Sequence, residues 1–344
     1  MRALQHGTDG QTDRQVLVVG TGVAGLLTAA ACRERGFDPV VTAGAGRDRD
    51  RNPILTLWRP TGTLLDGLGV GDALAAGTPV RRWVCRHPRG RTAETLVHEG
   101  EPQAAPCVRV RRSRVERALA ATVPDSRLWR RRTIRRVERG RSGPVVTFDD
   151  GVRERFDLVV GADGPGSRVR DAVVDDAADG VDPVVPTPVV GVSERPPRLE
   201  ARHTVYEHWS PAGSVTRLSH LEGSDLWRYV APGRTDGVVG TEHWAGDGLA
   251  LVGEAAHPLS PVLTTHDSLA VEDGTTLAAV LASRPTTRAA LQTYERRRSH
   301  RTRGLYGGAR EDTGAAGDTP VPCRQAFLRT RFDRRDPAGR PDDW

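Results

Sequence analysis

One stretch near the N-terminus limits the fold more than any other part of the chain. Gln15 to Val19 is a short apolar run, mostly valine, followed by Gly20-Thr21-Gly22-Val23-Ala24-Gly25. The run suits a central parallel strand, covered on both faces. Gly20 then permits a tight turn, Gly22 lets a backbone approach a pyrophosphate, and Gly25 lets a helix pack closely on the strand. A helix expected from Val23 to Arg35 aims its free N–H groups and its dipole at that anion. Gly36 suits the left-handed position after a helix, and Asp38 to Val41 opens a second strand. This is the start of a dinucleotide-binding βαβ unit. The acid that holds a ribose usually ends the second strand. Here Thr42, Ala43 and Gly44 stand there, so the contact is either supplied by Asp48 or Asp50 or lost.

At 344 residues the chain accommodates a cofactor domain and a smaller partner domain. The net charge is +6, and all 50 of its Lys/Arg residues are arginine. With one asparagine and one methionine, that pattern reflects GC-rich codon usage rather than a binding surface. The densest basic stretch, Arg127 to Val137, reads as a pair of strands with a solvated charged face. Leu128, Ile134 and Val137 are its core anchors, and no nucleic-acid partner is expected. Cys32, Cys85, Cys107 and Cys323 are scattered without a C-x-x-C pair, which argues against a zinc site or disulfide framework and fits a reducing cytoplasm. The N-terminus lacks the apolar segment of a signal peptide, and no apolar run is long enough to span a bilayer.

Further along, Thr61 to Leu68 is expected to be helical and Val80 to Val97 to form two strands around His87-Pro88. A helix should start near Val115 with Ser113 as its cap, and strands should cover Val145–Asp149 and Phe156–Val160. Between Pro183 and Val239, short alternating segments separated by Pro and Gly suit an antiparallel sheet. Leu249–Val252 returns to a buried strand, with helices near Ser268–Ala282 and Ala289–Arg303.

Two downstream segments repeat the logic of the first. Asp157-Leu-Val-Val-Gly161-Ala162-Asp163-Gly164 carries an apolar strand into a glycine turn with an embedded acid. Leu249-Ala-Leu-Val-Gly253-Glu254-Ala-Ala-His257-Pro258 does the same. Together with the opening glycines, these resemble the three fingerprints of the FAD-dependent aromatic hydroxylases, the p-hydroxybenzoate hydroxylase-like flavoprotein monooxygenases. The resemblance runs from about residue 14 to 306. It includes Leu55–Trp58, the segment Val110-Arg111-Arg112-Ser113, and the closing helix around Tyr294-Glu295-Arg296.

The resemblance implies an α/β fold: a three-layer, Rossmann-like FAD domain (14–80, 105–180, 244–306) with an inserted antiparallel substrate sheet (81–104, 181–243), a disordered leader (1–13) and a tail (307–344). Gly20, Gly22 and Gly25 would hold the ADP pyrophosphate and Arg112 the ADP half. Asp163 and Gly164 would contact FAD along the NAD(P)H route, Glu254 would bond the ribityl chain, and Pro261 would open the loop beside the flavin. Arg168 and Arg170 read better as surface ion pairs, and His257 as a turn histidine on Pro258. The implied activity is NAD(P)H-driven hydroxylation of an aromatic or similar small molecule through a flavin C4a-hydroperoxide, with the region Tyr206 to Tyr229, including His208, Trp209 and Trp227, supplying either substrate contacts or core.

Several positions depart from the family pattern. Thr264 and His266 replace the two glycines of the loop after Pro261, Glu254 replaces Asp, and Asn52-Pro53-Ile54 replaces a glycine-rich approach. Asp267 is expected to cap the helix that follows. These losses motivate an alternative: a degenerate flavin fold with weak or no FAD binding, acting as a ligand-binding or partner protein. A flavin reductase acting on isoprenoid double bonds fits less well.

Overall fold

The computed structural model describes residues 14–43, 53–86, 92–173, 189–193, 202–209, 215–220, 227–231, 243–257 and 266–299. The expected leader and tail, Asp48, Asp50, Asn52, the His87-Pro88 turn, Pro258, Pro261, Thr264 and Thr265 lie outside the described residues.

The largest sheet is eight-stranded. Its centre is five parallel strands, in the spatial order β8 (Leu128–Glu138), β2 (Val40–Ala43), β1 (Val16–Val19), β11 (Leu158–Gly161) and β17 (Leu249–Leu251). Leu17, Val18, Val19, Leu158, Val159 and Leu251 are all 0% exposed. Such continuous apolar strands must be covered on both faces, and each fully buried Val or Leu contributes about 1.5–3 kcal/mol. On one face lie α1 (Val23–Glu34) and α6 (His266–Ser283), which pack together at Gly274. A Cβ there would lie 2.6 Å from both Leu27 Cδ2 and Thr28 Oγ1, so only glycine lets the two helices come this close.

Beyond β8 come β9 (Val145–Phe148) and β10 (Arg153–Arg155), and β16 (Ala245–Gly246) lies beyond β17. The arginine-rich stretch is one eleven-residue strand, β8, and not the pair expected. Leu128, Ile134 and Val137 are buried as anchors. Arg132 shows how the charged face is managed: its guanidinium lies 4.0 Å from the Phe148 ring centre and pairs with Asp150 and Glu154 at 3.0 and 2.9 Å.

A six-stranded sheet runs β12 (Val189–Ser193), β15 (Trp227–Ala231), β14 (Val215–His220), β13 (Thr204–Trp209), β5 (Arg82–Arg86), β6 (Thr92–Val97). Its pairings are antiparallel except β13 with β5, because two distant parts of the chain meet at that seam. Between the large sheets sits a smaller one, β3 (Ile54–Trp58), β7 (Cys107–Arg111) and β4 (Thr78–Val80). The remaining helices are α2 (Arg59–Gly67), α3 (Gly71–Ala75), α4 (Arg112–Ala121), α5 (Arg168–Val173) and α7, residues 287–299. Since α4 begins at Arg112 after Arg111, without a side-chain cap, Ser113 lies inside the first turn and does not cap it.

Candidate cofactor site

In-register pairing decides where the three glycine turns fall. Val19 sits beside Gly161, and Gly161 beside Leu251. The turns at Gly20, Asp163 and Gly253 therefore leave the sheet together at its carboxyl edge, where open α/β sheets bind ligands.

The glycines of the first turn have different jobs. Gly20 has φ +128°, and a Cβ on it would stand 2.2 Å from the Ala162 carbonyl oxygen. A Cβ on Gly25 would stand 2.0 Å from the Gly20 oxygen. Both are required by chain-to-chain contact. Gly22 has φ −80°, and the nearest atom to its would-be Cβ is Glu116 Oε1 at 3.9 Å. Nothing in the described chain demands glycine there, which leaves close approach of a ligand as the reason. The first turn of α1 contains no acid of its own, and no side chain caps it, so its N–H groups are left for an anion.

Asp163 follows β11 and is 9% exposed. Its Oδ2 accepts the Arg168 N–H at 2.8 Å. Burial pushes its carboxyl above the usual range, against the pull of the Ser167 hydroxyl and the Arg168 N–H. Its Oδ1 has no hydrogen-bond partner among the described residues. Gly164 has φ +82° and an open Cβ position. Arg168 and Arg170, expected as surface ion-pairing residues, both donate to backbone carbonyls. Arg168 donates to the Ile134 carbonyl at 2.7 Å, and Arg170 donates to the carbonyls of Ala255 and Pro165. Arg170 thus ties the second turn to the third, and Arg168 ties the second turn to β8.

Glu254 occupies the middle of the 3-10 turn Gly253–Ala255 and is half-buried. Arg112 comes from α4, with its guanidinium 4.0 Å from Glu116 and 3.6 Å from Asp267. It joins the same edge because Glu116 lies beside Gly22. Asp267 does not cap α6. It lies within the first turn, where Oδ2 accepts the Thr56 N–H at 2.9 Å and Oδ1 faces Arg112 and His266. Ser268 adds a second tie, accepting the Trp58 N–H at 3.0 Å. The helix start is thus stitched to β3, a long-range contact with no local sequence signal. On β2, Thr42 donates its hydroxyl to the Arg132 carbonyl, and no acid ends the strand among the described residues.

The six-stranded sheet divides its side chains by strand alternation. One face places Trp83, Cys85 and Val205 against Trp58 and Cys107 of the small sheet. Glu207 and Arg217 are paired directly across strands on this face, with Oε1 accepting from Nε at 3.0 Å and from a terminal nitrogen at 2.8 Å. Both are buried, and Arg217 lies 5.5 Å over the Trp83 ring. Arg109 reaches from β7 to the His220 carbonyl at 2.5 Å. Of the aromatics named for this sheet, Tyr206 and Trp227 pack with Val84 and Leu218 on the opposite face. His208 is on that face too, beside Arg86, and burial lowers its pKa with help from that arginine. The Trp209 side chain lies outside the described residues.

No group of three or more metal-ligating side chains occurs among the described residues, and none of their helices is long and apolar enough to cross a membrane. The edge fits a pyrophosphate-linked cofactor on its own geometry: an open Gly22, an uncapped helix, an open Gly164 and a buried carboxylate oxygen available to a donor.

Comparison with known proteins agrees. Residues 13–231 match the family model described as FAD binding domain. The 3-amino-4-hydroxybenzoate 2-monooxygenase of Streptomyces cremeus is 30% identical over 87% of this chain and 86% of its own. A second enzyme of that name from Streptomyces platensis, PtnB3, is 27% identical over 86% and 87%. In fold, the crystal structure of Klebsiella pneumoniae HpxO complexed with FAD and uric acid superposes with a TM-score of 0.74 at 19% identity. The match covers 94% of this chain and 93% of that one. A family match over most of the chain, beside glycine turns that meet at one sheet edge, leads to one conclusion: the chain belongs to the FAD-dependent aromatic monooxygenases.

Proposed function

We propose that this protein uses FAD and NAD(P)H to hydroxylate a small aromatic molecule. The observation that carries the reading is the convergence of Gly20, Asp163 and Gly253 on adjacent parallel strands. Gly20 and Gly25 shape the first turn, and Gly22 with the first N–H groups of α1 receives the pyrophosphate. Arg112, already oriented by Glu116 and Asp267, faces the ADP half. Asp163, Gly164 and Glu254 bind and orient the middle of the cofactor. Bound FAD supplies hydride acceptance from NAD(P)H and activation of dioxygen; the chain supplies position, donors and exclusion of water. Cys32, Cys85 and Cys107 are free buried thiols, which fits a protein working in a reducing cytoplasm.

The first substrate to test is 3-amino-4-hydroxybenzoate, named for two relatives. The purified protein is expected to be yellow, or to become so with added FAD. It should then consume NADPH faster with that compound and yield a product heavier by one oxygen atom. A folded protein that takes up no FAD overturns the reading. One that binds FAD and oxidises NADPH without making a hydroxylated product from any aromatic acid overturns the hydroxylase assignment.

A further inference from the structure

Behind the third cofactor turn lies a buried charged cluster that the functional reading does not use. Asp273 of α6, 0% exposed, points one oxygen at both ends of the turn. Its Oδ2 accepts the Gly253 N–H at 2.8 Å and the His257 Nε2 at 2.5 Å. A carboxylate only accepts, so His257 donates through Nε2. The turn is closed internally as well, because the Ala256 and His257 N–H groups both bond the Gly253 carbonyl at 2.9 Å. The second oxygen, Oδ1, accepts Arg298 Nε of α7 at 2.6 Å, and Arg298 also pairs with Glu272 at 2.8 Å. Burial alone would raise the Asp273 carboxyl, but His257 and Arg298 outweigh it and the net shift is downward.

The position of the clamp matters as much as its bonds. Gly274, the next residue, is where α6 seats on α1, the helix of the first cofactor turn. Gly253 itself has φ +60°, and its would-be Cβ stands 3.0 Å from Ala24 Cβ of α1 and 3.4 Å from Ala270 Cβ of α6. One carboxylate therefore references the third turn to the helix of the first. Glu254 sits between the two clamped ends and is half-buried.

We propose that Asp273 is a positioning residue that fixes Glu254 against the first cofactor turn by holding Gly253 and His257 with one oxygen, with Arg298 as its counter-charge. The proposal rests on the reading of Glu254 as a cofactor contact. Its test is FAD affinity, measured by quenching of flavin fluorescence, with the visible circular dichroism of bound flavin and the melting temperature of the apoprotein. His257→Leu removes one arm of the clamp. It is expected to weaken FAD on the order of ten- to a hundredfold, the range found when groups that orient a ligand are removed from other sites, and to alter the flavin dichroism. His257→Gln, whose amide reaches the same oxygen, is expected to recover most of the affinity. Tyr294→Phe breaks a 2.6 Å bond to the Leu251 carbonyl on the strand rather than the turn. It should lower the melting temperature and leave FAD affinity unchanged. If His257→Leu does not fold, Asp273→Asn, which keeps the shape, is read the same way. Wild-type affinity and dichroism in a folded His257→Leu or Asp273→Asn protein overturn the proposal. Glu254→Gln separates the two claims: no effect on FAD there refutes the contact by Glu254, whereas an effect at Glu254 with none at His257 and Asp273 refutes the clamp.

Discussion

The carboxyl edge of the parallel sheet and the buried face of the six-stranded sheet solve different problems. The first presents backbone. Gly20 and Gly25 exist because neighbouring backbone lies 2.2 and 2.0 Å from their missing Cβ atoms, and Gly22 because the space outside it is open. The second presents charged side chains, and it neutralises them internally by pairing Glu207 with Arg217 across two strands. A site built from backbone requires particular residues at fixed spacing. A sheet face built from side chains needs only partners that meet after folding. The first leaves a motif in the sequence, and the second does not.

Substitutions sharpen that contrast. The largest effect is expected at Gly25→Val, where the added carbons must displace backbone. The cost should exceed about 3 kcal/mol, the upper end for overpacked cores, and appear in urea unfolding as loss of a folded apoprotein. A well-folded variant would show that the turn is not rigid. On the other sheet, Glu207→Leu leaves Arg217 buried without its carboxylate and should cost about 3–5 kcal/mol. Adding Arg217→Met should restore much of that loss; no recovery would mean the pair is not the source.

Gly22→Ala separates ligand from fold. Apoprotein stability should change by no more than about 1 kcal/mol, while FAD binding weakens by about tenfold, or 1.4 kcal/mol. Equal affinity would remove Gly22 from the cofactor contact. A smaller effect concerns pH. The native Asp163 carboxyl holds its proton more tightly than the unfolded chain does. Apoprotein stability from this group therefore falls as pH rises from about 4, the ordinary carboxylate value, through the raised native value, and is level above it. Asp163→Asn should flatten that part of the stability profile; an unchanged profile would place the titration elsewhere. The smallest effect is expected at Arg130, which faces solvent with Asp125 at 3.9 Å. Arg130→Ala should not shift the melting temperature, because exposed pairs contribute little.

Much of the fold was legible because its signals are local. The apolar runs at Val16–Val19, Leu158–Gly161 and Leu249–Leu251 had to be central strands, and the glycines after two of them had to be turns. Errors came where a residue had two local uses. Ser113 and Asp267 both looked like helix caps, since a small polar residue before a helix usually is one. Ser113 falls inside its helix, and Asp267 spends its oxygens on Thr56 and Arg112, 211 and 155 residues away in sequence. His257 read as a turn residue because its partner, Asp273, lies 16 residues further on, inside α6.

The sequence by itself determined that this chain builds a parallel sheet with glycine turns at one edge. Backbone sterics and burial act over a few residues and leave their mark in residue type. Only the tertiary structure decided that three such turns share that edge and that Asp273 clamps one of them. It also decided that Glu207 neutralises Arg217 and that Tyr206 and Trp227 face away from the small sheet. Those outcomes depend on strand order and on contacts between distant segments, and a charge or an aromatic ring in the chain does not specify its partner until the backbone has brought one within reach.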